Sequence, residues 1–311
     1  MNNFYMLVGI PGSGKSTVGN ELNAKVFSSD KIREELWGDE NIQGDNCVIF
    51  DELHKRIKEC LSNGDDCVYD ATNIKANKRA NFLREIKKLN CNKICIFVAT
   101  DIDMCLERNS LRDRHVPEEV ITKMYRGLEI PQYREGWDEI RVIPNRHPDK
   151  DYNIFHLVDR LRLLNHDNPH HLLTVGDHIC GVTQYIVKNY GFKFALDVER
   201  LSNLISAAFY HDIGKEFTKS FINGKGEETE IAHYYNHENV SAYMYFLYTD
   251  LETLNEDMGN SLYIADLIQL HMRMHCHGGD KEKMHNKIKK LVGQQEFEDL
   301  CILNEADTIC G

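Results

Sequence analysis

Long apolar runs are missing from this sequence. No stretch of its 311 residues approaches the length of a membrane-spanning helix. The apolar run within the opening MNNFYMLVGIPG is too short and too soon interrupted for a secretory leader. Paired cysteines of the CxxC type are also missing. The ten cysteines are scattered, and the nearest two, Cys91 and Cys95, lie beside an apolar run, which reads as reduced and mostly buried thiols. Together these absences point to a cytoplasmic protein with no membrane attachment. Positive charge is in short supply, with 37 Lys and Arg against 49 Asp and Glu and a formal net charge of -12. That balance excludes a nonspecific nucleic-acid coat protein, but an enzyme needing only a local basic groove stays open. Internal repeats and low-complexity segments are absent, so a repeat architecture is excluded.

Two further scarcities divide the chain. Histidine is rare in the first half, with twelve of the fifteen at or after His156. Strand-like runs are rare in the second half. Before that point, Phe4–Val8, Val26–Phe27, Cys67–Tyr69, Lys93–Ala99 and Ile140–Ile143 read as strands. They alternate with helical patterns such as Thr17–Lys25, Asp51–Leu61 and Asn77–Leu89. Such alternation predicts an α/β domain, residues 1–147, with a parallel sheet flanked by helices. The polar, proline-bearing stretch Pro144–Asp151 reads as a linker. Residues 154–311 are expected to form an all-α domain, with helical patterns near 154–166, 174–190, 195–211, 233–249, 260–275 and 281–310. A single flap has its hairpin tip at Asn223-Gly224-Lys225-Gly226.

The first half carries Gly9-Ile10-Pro11-Gly12-Ser13-Gly14-Lys15-Ser16-Thr17, a GxxxxGK[ST] loop between a strand and a helical pattern. Glycines there let successive backbone N–H groups converge on phosphate oxygens, as a P-loop does. Lys15 is expected to reach the β- and γ-phosphates of ATP and Ser16 to ligate Mg²⁺. Three segments bear on the acceptor side. Asp30, in Ser28-Ser29-Asp30-Lys31-Ile32-Arg33, is either a helix N-cap or a general base, with Arg33 one turn on as an anchor for an acceptor phosphate. Asp70, Thr72 and Asn73 end a buried strand, where ligands gather in open α/β sheets, and Asp70 is either a cap or part of the Mg²⁺ shell. Arg108 and Arg112, in an arginine-rich run that also holds Arg114 and precedes Val116-Pro117, form either a lid on the nucleotide or a solvated charge run.

The loop, the SDxxR element, the DATN element and the RNSLR…VP run resemble, in order and spacing, the 5′-hydroxyl polynucleotide kinase of T-even phages and its bacterial end-healing relatives. The resemblance spans about residues 1–145. It implies Asp30 as general base, Arg33 on the acceptor's 3′-phosphate, and Arg112 on the donor phosphates beside Lys15 and Ser16.

In the second half, His178, His211-Asp212, His237, His271 and Asp307 each fall on an otherwise apolar helical stripe. A lone histidine there is an ordinary core residue; five helices each offering a ligand type on the inward face point to a metal site. Mixed imidazole and carboxylate ligands suit Mn²⁺, Fe²⁺, Co²⁺, Ni²⁺ or Zn²⁺, and a bound metal acidifies water for attack at phosphorus. The order H…HD…H…H…D resembles the HD phosphohydrolase superfamily. That resemblance assigns His178, His211, Asp212 and Asp307 to a core metal, His237 and His271 to a second, and Lys215 to a substrate phosphate. His171 would line the pocket, with His275 and His277 at the surface or behind the ligands.

The two resemblances together imply nucleic-acid end healing, acting on RNA or DNA ends with a 5′-OH and serving a ligase. The helical half would be a 3′-phosphatase or 2′,3′-cyclic phosphodiesterase. The T-even kinase uses an aspartyl phosphatase whose DxDxT motif is missing here, but kinase–HD fusions occur among bacterial end-healing enzymes. Two alternatives stay open: a small-molecule kinase joined to a nucleotide hydrolase, and an ATP switch governing the hydrolase. A homo-oligomer is compatible with all three.

Overall fold

The computed structural model describes residues 1–38, 46–112, 115–169, 172–275 and 280–311. Asp113, Arg114, His171 and His277 therefore lie outside the described residues. The chain divides into two compact units, Met1–Asp149 and Lys150–Gly311.

In the first unit, strands β1 (Asn2–Val8), β2 (Lys25–Ser28), β3 (Cys67–Asp70), β4 (Cys91–Thr100) and β5 (Glu139–Asn145) form one sheet in the order β2-β3-β1-β4-β5. Every pairing is parallel. Helices α1 (Lys15–Glu21), α2 (Ser29–Trp37), α3 (Asn46–Ser62), α4 (Ala76–Glu85), α5 (Ile102–Ser110) and α6 (Glu118–Gly127) make the crossovers. A parallel sheet covered on both faces needs strands that are apolar throughout, and β4 supplies this with Ile94 to Thr100 buried without a break. Leu7, Val68, Ile94, Ile96 and Val98 pack into one cluster with Val18, Leu22 and Ile143. The strand order reverses direction around β1, so the carboxyl ends of β1, β3 and β4 open the crevice where ligands bind in such sheets.

Local chemistry corrects several sequence expectations. The first helix ends at Glu21, and Lys25 opens β2 instead of closing a helix. Pro144 and Asn145 belong to β5, not to a linker. Proline is tolerated there because β5 pairs only with β4, so no ladder bond on the outer side is lost. The N-cap of α2 is Ser28, whose Oγ accepts from the Asp30 N–H at 3.3 Å; Asp30 itself sits inside the first turn.

The second unit holds α7 (Ile154–Leu161), α8 (Val175–Tyr190), α9 (Val198–Tyr210), α10 (Lys215–Thr218), α11 (His237–Tyr248), α12 (Leu251–Glu256), α13 (Met258–Leu270), α14 (Lys281–Val292) and α15 (Gln294–Cys310). An antiparallel hairpin, β6 (Ser220–Ile222) and β7 (Glu228–His233), is the flap. Thr174, Asp197 and Asp280 cap α8, α9 and α14 through their side chains. The pattern at 281–310 is two helices, not one, because Gly293 sits between them at φ 92. The pattern at 154–166 ends as helix at Leu161, which leaves His166 in a loop. Leu157, Val158, Leu161, Val175, Ile179 and Ile213 form a core where α7 and α8 meet the end of α9. No described helix is long and apolar enough to cross a membrane.

Candidate active sites

The first site forms where β1 gives way to α1. Gly12 and Gly14 adopt φ 80 and φ 93, and a Cβ on Gly12 would lie 2.3 Å from the Cys105 carbonyl oxygen. Glycine is required there by both conformation and space. Lys15 is buried, with Nζ donating to the Ile10 carbonyl at 2.8 Å and standing 3.5 Å from Ser13 Oγ. Burial lowers its pKa to about 8, opposed by the nearby Asp70 carboxylate. Ser16 Oγ donates to Asp70 Oδ2 at 2.8 Å, so the hydroxyl and carboxylate expected near Mg²⁺ stand side by side. Pro11 is half-buried and Thr17 exposed.

Residues of the DATN element hold this loop mainly through the backbone. The Gly9 N–H donates to the Thr72 carbonyl at 3.0 Å. Asn73 is at φ 48 with its Nδ2 on the Leu7 carbonyl at 2.9 Å, which commits that amide to joining the ends of β1 and β3. Its own carbonyl accepts from Arg79 Nη1 at 2.9 Å.

On the acceptor side, Arg33 Nη1 bonds Asp30 Oδ1 at 2.9 Å across one turn of α2. Arg33 Nη2 also reaches Asn46 Oδ1 at 3.0 Å. The Asp30 side chain is 41% exposed. Arg108 is exposed with Nη1 3.5 Å from the Gly12 carbonyl, over the P-loop. Arg112 is exposed just beyond α5, near enough for its charge to help lower the Lys15 pKa.

The second site lies within the helical unit. His178 (α8), His211 (after α9) and Asp307 (α15) form one buried triad; Asp212, His237 (start of α11) and His271 (after α13) form another. In each group the ligand-type atoms lie within 4.8 Å of one another. All four imidazoles share one arrangement, with Nδ1 facing a backbone carbonyl and Nε2 facing the centre. The Nδ1 partners are Cys310 at 3.2 Å for His178, Ala208 at 2.7 Å for His211, Tyr234 at 2.8 Å for His237 and Ile268 at 2.7 Å for His271. A carbonyl can only accept, so in the neutral ring each Nδ1 carries the hydrogen and each Nε2 presents its lone pair inward. The Nε2 atoms of His178 and His211 are 3.3 Å apart, as are those of His237 and His271.

Asp212 faces both triads. Its Oδ2 lies 3.4 Å from the Nε2 of both His178 and His211, and its Oδ1 lies 3.0 Å from His237 Nε2 and 3.9 Å from His271 Nε2. Buried Lys215, opening α10, places Nζ 2.6 Å from Oδ2. Neither carboxylate oxygen accepts a properly oriented hydrogen bond despite full burial. Burial alone would raise the Asp212 pKa, but Lys215 and His211 outweigh it and hold the group well below the usual carboxylate range. Asp307 is held low against its own burial by hydrogen bonds with His178 and His275. Burial pushes His271 down to about 3, keeping it neutral. Converging lone pairs, fixed tautomers and an unsatisfied carboxylate between two nitrogen pairs form a donor set that fits two divalent cations sharing Asp212.

Of two further histidines, one takes a place expected of it, behind the ligand-type residues, and the other was concealed by the linear pattern. His275 places Nε2 2.7 Å from Asp307 Oδ2 and 3.0 Å from Asn304 Nδ2, directly behind a ligand-type carboxylate. His166 is buried, with Nε2 3.2 Å from Lys215 Nζ. Helical periodicity could not find His166, which lies in a loop; the available signal was three histidines in the sequence within six positions, His166, His170 and His171, before α8.

Residues 4–131 match the family model described as AAA domain (AAA_33). A curated relative, L-seryl-tRNA(Sec) kinase of Methanococcus maripaludis, is 28% identical over 159 residues, 48% of this chain and 61% of that protein. The chain thus spans about three-fifths of the length of this relative. Among solved structures, a kinase from Chloroflexus aurantiacus is 14% identical with a TM-score of 0.40, covering 52% of this chain and 97% of that one. A sugar kinase from Janibacter is 18% identical with a TM-score of 0.34, covering 47% and 86%. The N-terminal unit thus carries a P-loop and a parallel sheet over the residues that match the AAA_33 domain model, and a kinase is among the proteins it is similar to.

Proposed function

We propose that this protein heals nucleic-acid ends, most simply RNA ends, with a 5′-hydroxyl kinase in the first unit and an HD-type phosphohydrolase in the second. The observation that carries this reading is the pairing, in one chain, of a P-loop with an Asp30–Arg33 carboxylate–guanidinium pair and two buried triads that meet at Asp212. Breaks bearing a 5′-OH and a 3′-phosphate or 2′,3′-cyclic phosphate need both reactions before a ligase can act. The curated relative bears on the acceptor, because its name describes a kinase for a hydroxyl carried on RNA.

In the kinase reaction, the P-loop N–H groups and Lys15 hold the donor phosphates of ATP, and Ser16 and Asp70 hold its Mg²⁺. Asp30 takes the proton of the acceptor hydroxyl as its oxygen bonds the γ-phosphorus and the bond to the β–γ bridging oxygen breaks, releasing ADP. Arg33 keeps Asp30 oriented and offers its remaining N–H groups to an acceptor phosphate. Arg108 and Arg112 neutralise charge spreading over the transferred group.

In the second site, His178, His211, Asp212 and Asp307 would hold one divalent metal, and His237, His271 and Asp212 would hold a second. A bound transition metal such as Mn²⁺, Ni²⁺, Co²⁺ or Fe²⁺ supplies an acidified water and a Lewis acid. The four backbone carbonyls fix the imidazole tautomers, and Lys215 donates to a phosphoryl oxygen of the substrate.

The test is end-label transfer from γ-labelled ATP to an RNA oligonucleotide with a 5′-OH and a 3′-phosphate, using wild type, Asp30→Ala and Asp212→Ala. The expected result is 5′ labelling and 3′ dephosphorylation by wild type, with each variant losing only its own reaction. If no label enters the oligonucleotide and no 3′-phosphate leaves with Mn²⁺, Ni²⁺ or Co²⁺, the nucleic-acid reading fails. Transfer to a small hydroxyl compound would then identify the acceptor class.

A further inference from the structure

His166 lies outside every helix and strand, yet the fold spends many bonds on placing it. The segment around it is tied to distant parts of the second unit. Tyr234 OH donates to the His166 carbonyl at 2.5 Å, and the Ala232 N–H donates to the Asp167 carbonyl at 2.8 Å. Lys219 Nζ reaches the Asn165 carbonyl at 2.7 Å and Asp167 Oδ2 at 2.6 Å. A bridge joins Asn165 to Thr174 at the start of α8. Asp167 takes φ 48 to make the turn. Surface loops are rarely pinned from so many sides, and the residue this clamp delivers inward is a fully buried imidazole.

The ring is oriented like the four ligand-type histidines. Nδ1 faces the Leu173 carbonyl at 2.8 Å, so Nδ1 holds the hydrogen and Nε2 is an acceptor. Here Nε2 meets the Lys215 ammonium at 3.2 Å instead of a triad. Lys215 Nζ also stands 2.6 Å from Asp212 Oδ2 as an ion pair, and the Tyr234 ring lies 5.5 Å from Nζ. An ammonium has three hydrogens. The bond to His166 Nε2, with the Asp212 charge on another side, limits its rotation and turns its remaining N–H in one direction. An Asp212 contact alone would leave the head group free to spin.

We propose that His166 is a positioning residue for phosphate recognition, holding the Lys215 ammonium so that its remaining N–H meets an oxygen of a phosphate monoester or diester. This rests on the phosphohydrolase reading of the second unit and adds the residue that orients the phosphate donor. It requires no proton transfer by His166. Loss of a charge-assisted hydrogen-bond geometry of this kind weakens binding by about tenfold or more.

The experiment compares wild type, His166→Phe, which keeps the ring volume but removes the acceptor, and His166→Gln, whose amide oxygen replaces Nε2. Inorganic phosphate is titrated calorimetrically into each Mn²⁺-loaded protein. In parallel, Mn²⁺ content and the KM and kcat for 3′-phosphate removal are measured. The expected result is a phosphate Kd and a KM raised about tenfold in His166→Phe, largely restored in His166→Gln, with Mn²⁺ content unchanged in both. Equal phosphate affinity in wild type and His166→Phe, with hydrolysis intact, overturns this inference alone. Loss of Mn²⁺ from His166→Phe also overturns it, making the residue a support of the metal site. A wild type that binds Mn²⁺ but neither binds phosphate nor cleaves any phosphoester overturns the phosphohydrolase reading, and this inference with it.

Discussion

Replacing Arg79 with Met strands a carboxylate inside the first unit. Arg79 and Glu135 are paired with almost no solvent access, their side chains 0% and 6% exposed. Two parallel bonds join them, Nε to Oε2 at 2.8 Å and Nη2 to Oε1 at 2.7 Å. Glu135 also accepts from the Gln132 N–H and from Trp137 Nε1, both at 3.1 Å. Removing one partner of a buried ion pair costs about 3–5 kcal/mol, because the remaining charge is left without compensation. The double variant Arg79→Met, Glu135→Gln should be more stable than Arg79→Met alone. The amide carries no charge, although its single oxygen can accept from either the Gln132 N–H or Trp137 Nε1 and not both, so the rescue is partial. Coupling between groups in contact sets that rescue at about 1–3 kcal/mol. Both tryptophans, Trp37 and Trp137, lie in the first unit, so tryptophan fluorescence in urea follows that unit's unfolding. At a slope of about 2 kcal/mol/M, the single variant lowers the midpoint by about 2 M and the second substitution recovers about 0.5–1.5 M. A loss under about 1 kcal/mol in Arg79→Met, or a double variant weaker than the single, would refute the argument that an uncompensated charge dominates.

Gly12→Ala should weaken ATP binding at least tenfold by calorimetry, because its Cβ would lie 2.3 Å from a backbone oxygen at a left-handed φ of 80; unchanged affinity would contradict the P-loop geometry. Asp212→Asn should reduce bound Mn²⁺ by at least half, measured by elemental analysis after gel filtration, while ATP-dependent kinase activity stays intact; full metal content would rule out a shared carboxylate. Gly214→Ala places a methyl 2.6 Å from the His237 carbonyl and 2.7 Å from the Ser241 nitrogen. It should cost about 1–3 kcal/mol in the second unit and displace His237; a Tm within error of wild type would exclude that contact.

The parts of this molecule legible in the sequence were those encoded by local periodicity. Five strands and the P-loop could be read because a parallel sheet demands unbroken apolar runs, and because GxxxxGK[ST] is contiguous. The ligand-type residues of the helical unit could be chosen because each falls on an apolar stripe where an imidazole or carboxylate is conspicuous. Their grouping could not be read. That Asp212 stands between two triads depends on the meeting of five helix ends. His166 was concealed for the same reason, since it faces Lys215, far away in sequence. Pro144 misled because proline marks linkers in general, whereas an edge strand with one free side accepts it. Gly293 divides a helix that composition alone would run straight through.

The Nδ1 anchors of the four inward histidines differ in span. His211, His237 and His271 each bond a carbonyl three residues back, so their ring orientation is written into a single turn of chain and travels with it. His178 instead relies on the carbonyl of Cys310, 132 positions away, on the same helix that carries Asp307. One half of the site is therefore modular and the other conditional. The pair His237–His271 arrives already aimed as its helices form, while the His178–Asp307 edge is completed only when the last helix docks. Docking of α15 then acts as the latch on assembly of the cluster, and changes at its seam reach the His178 ring without touching it.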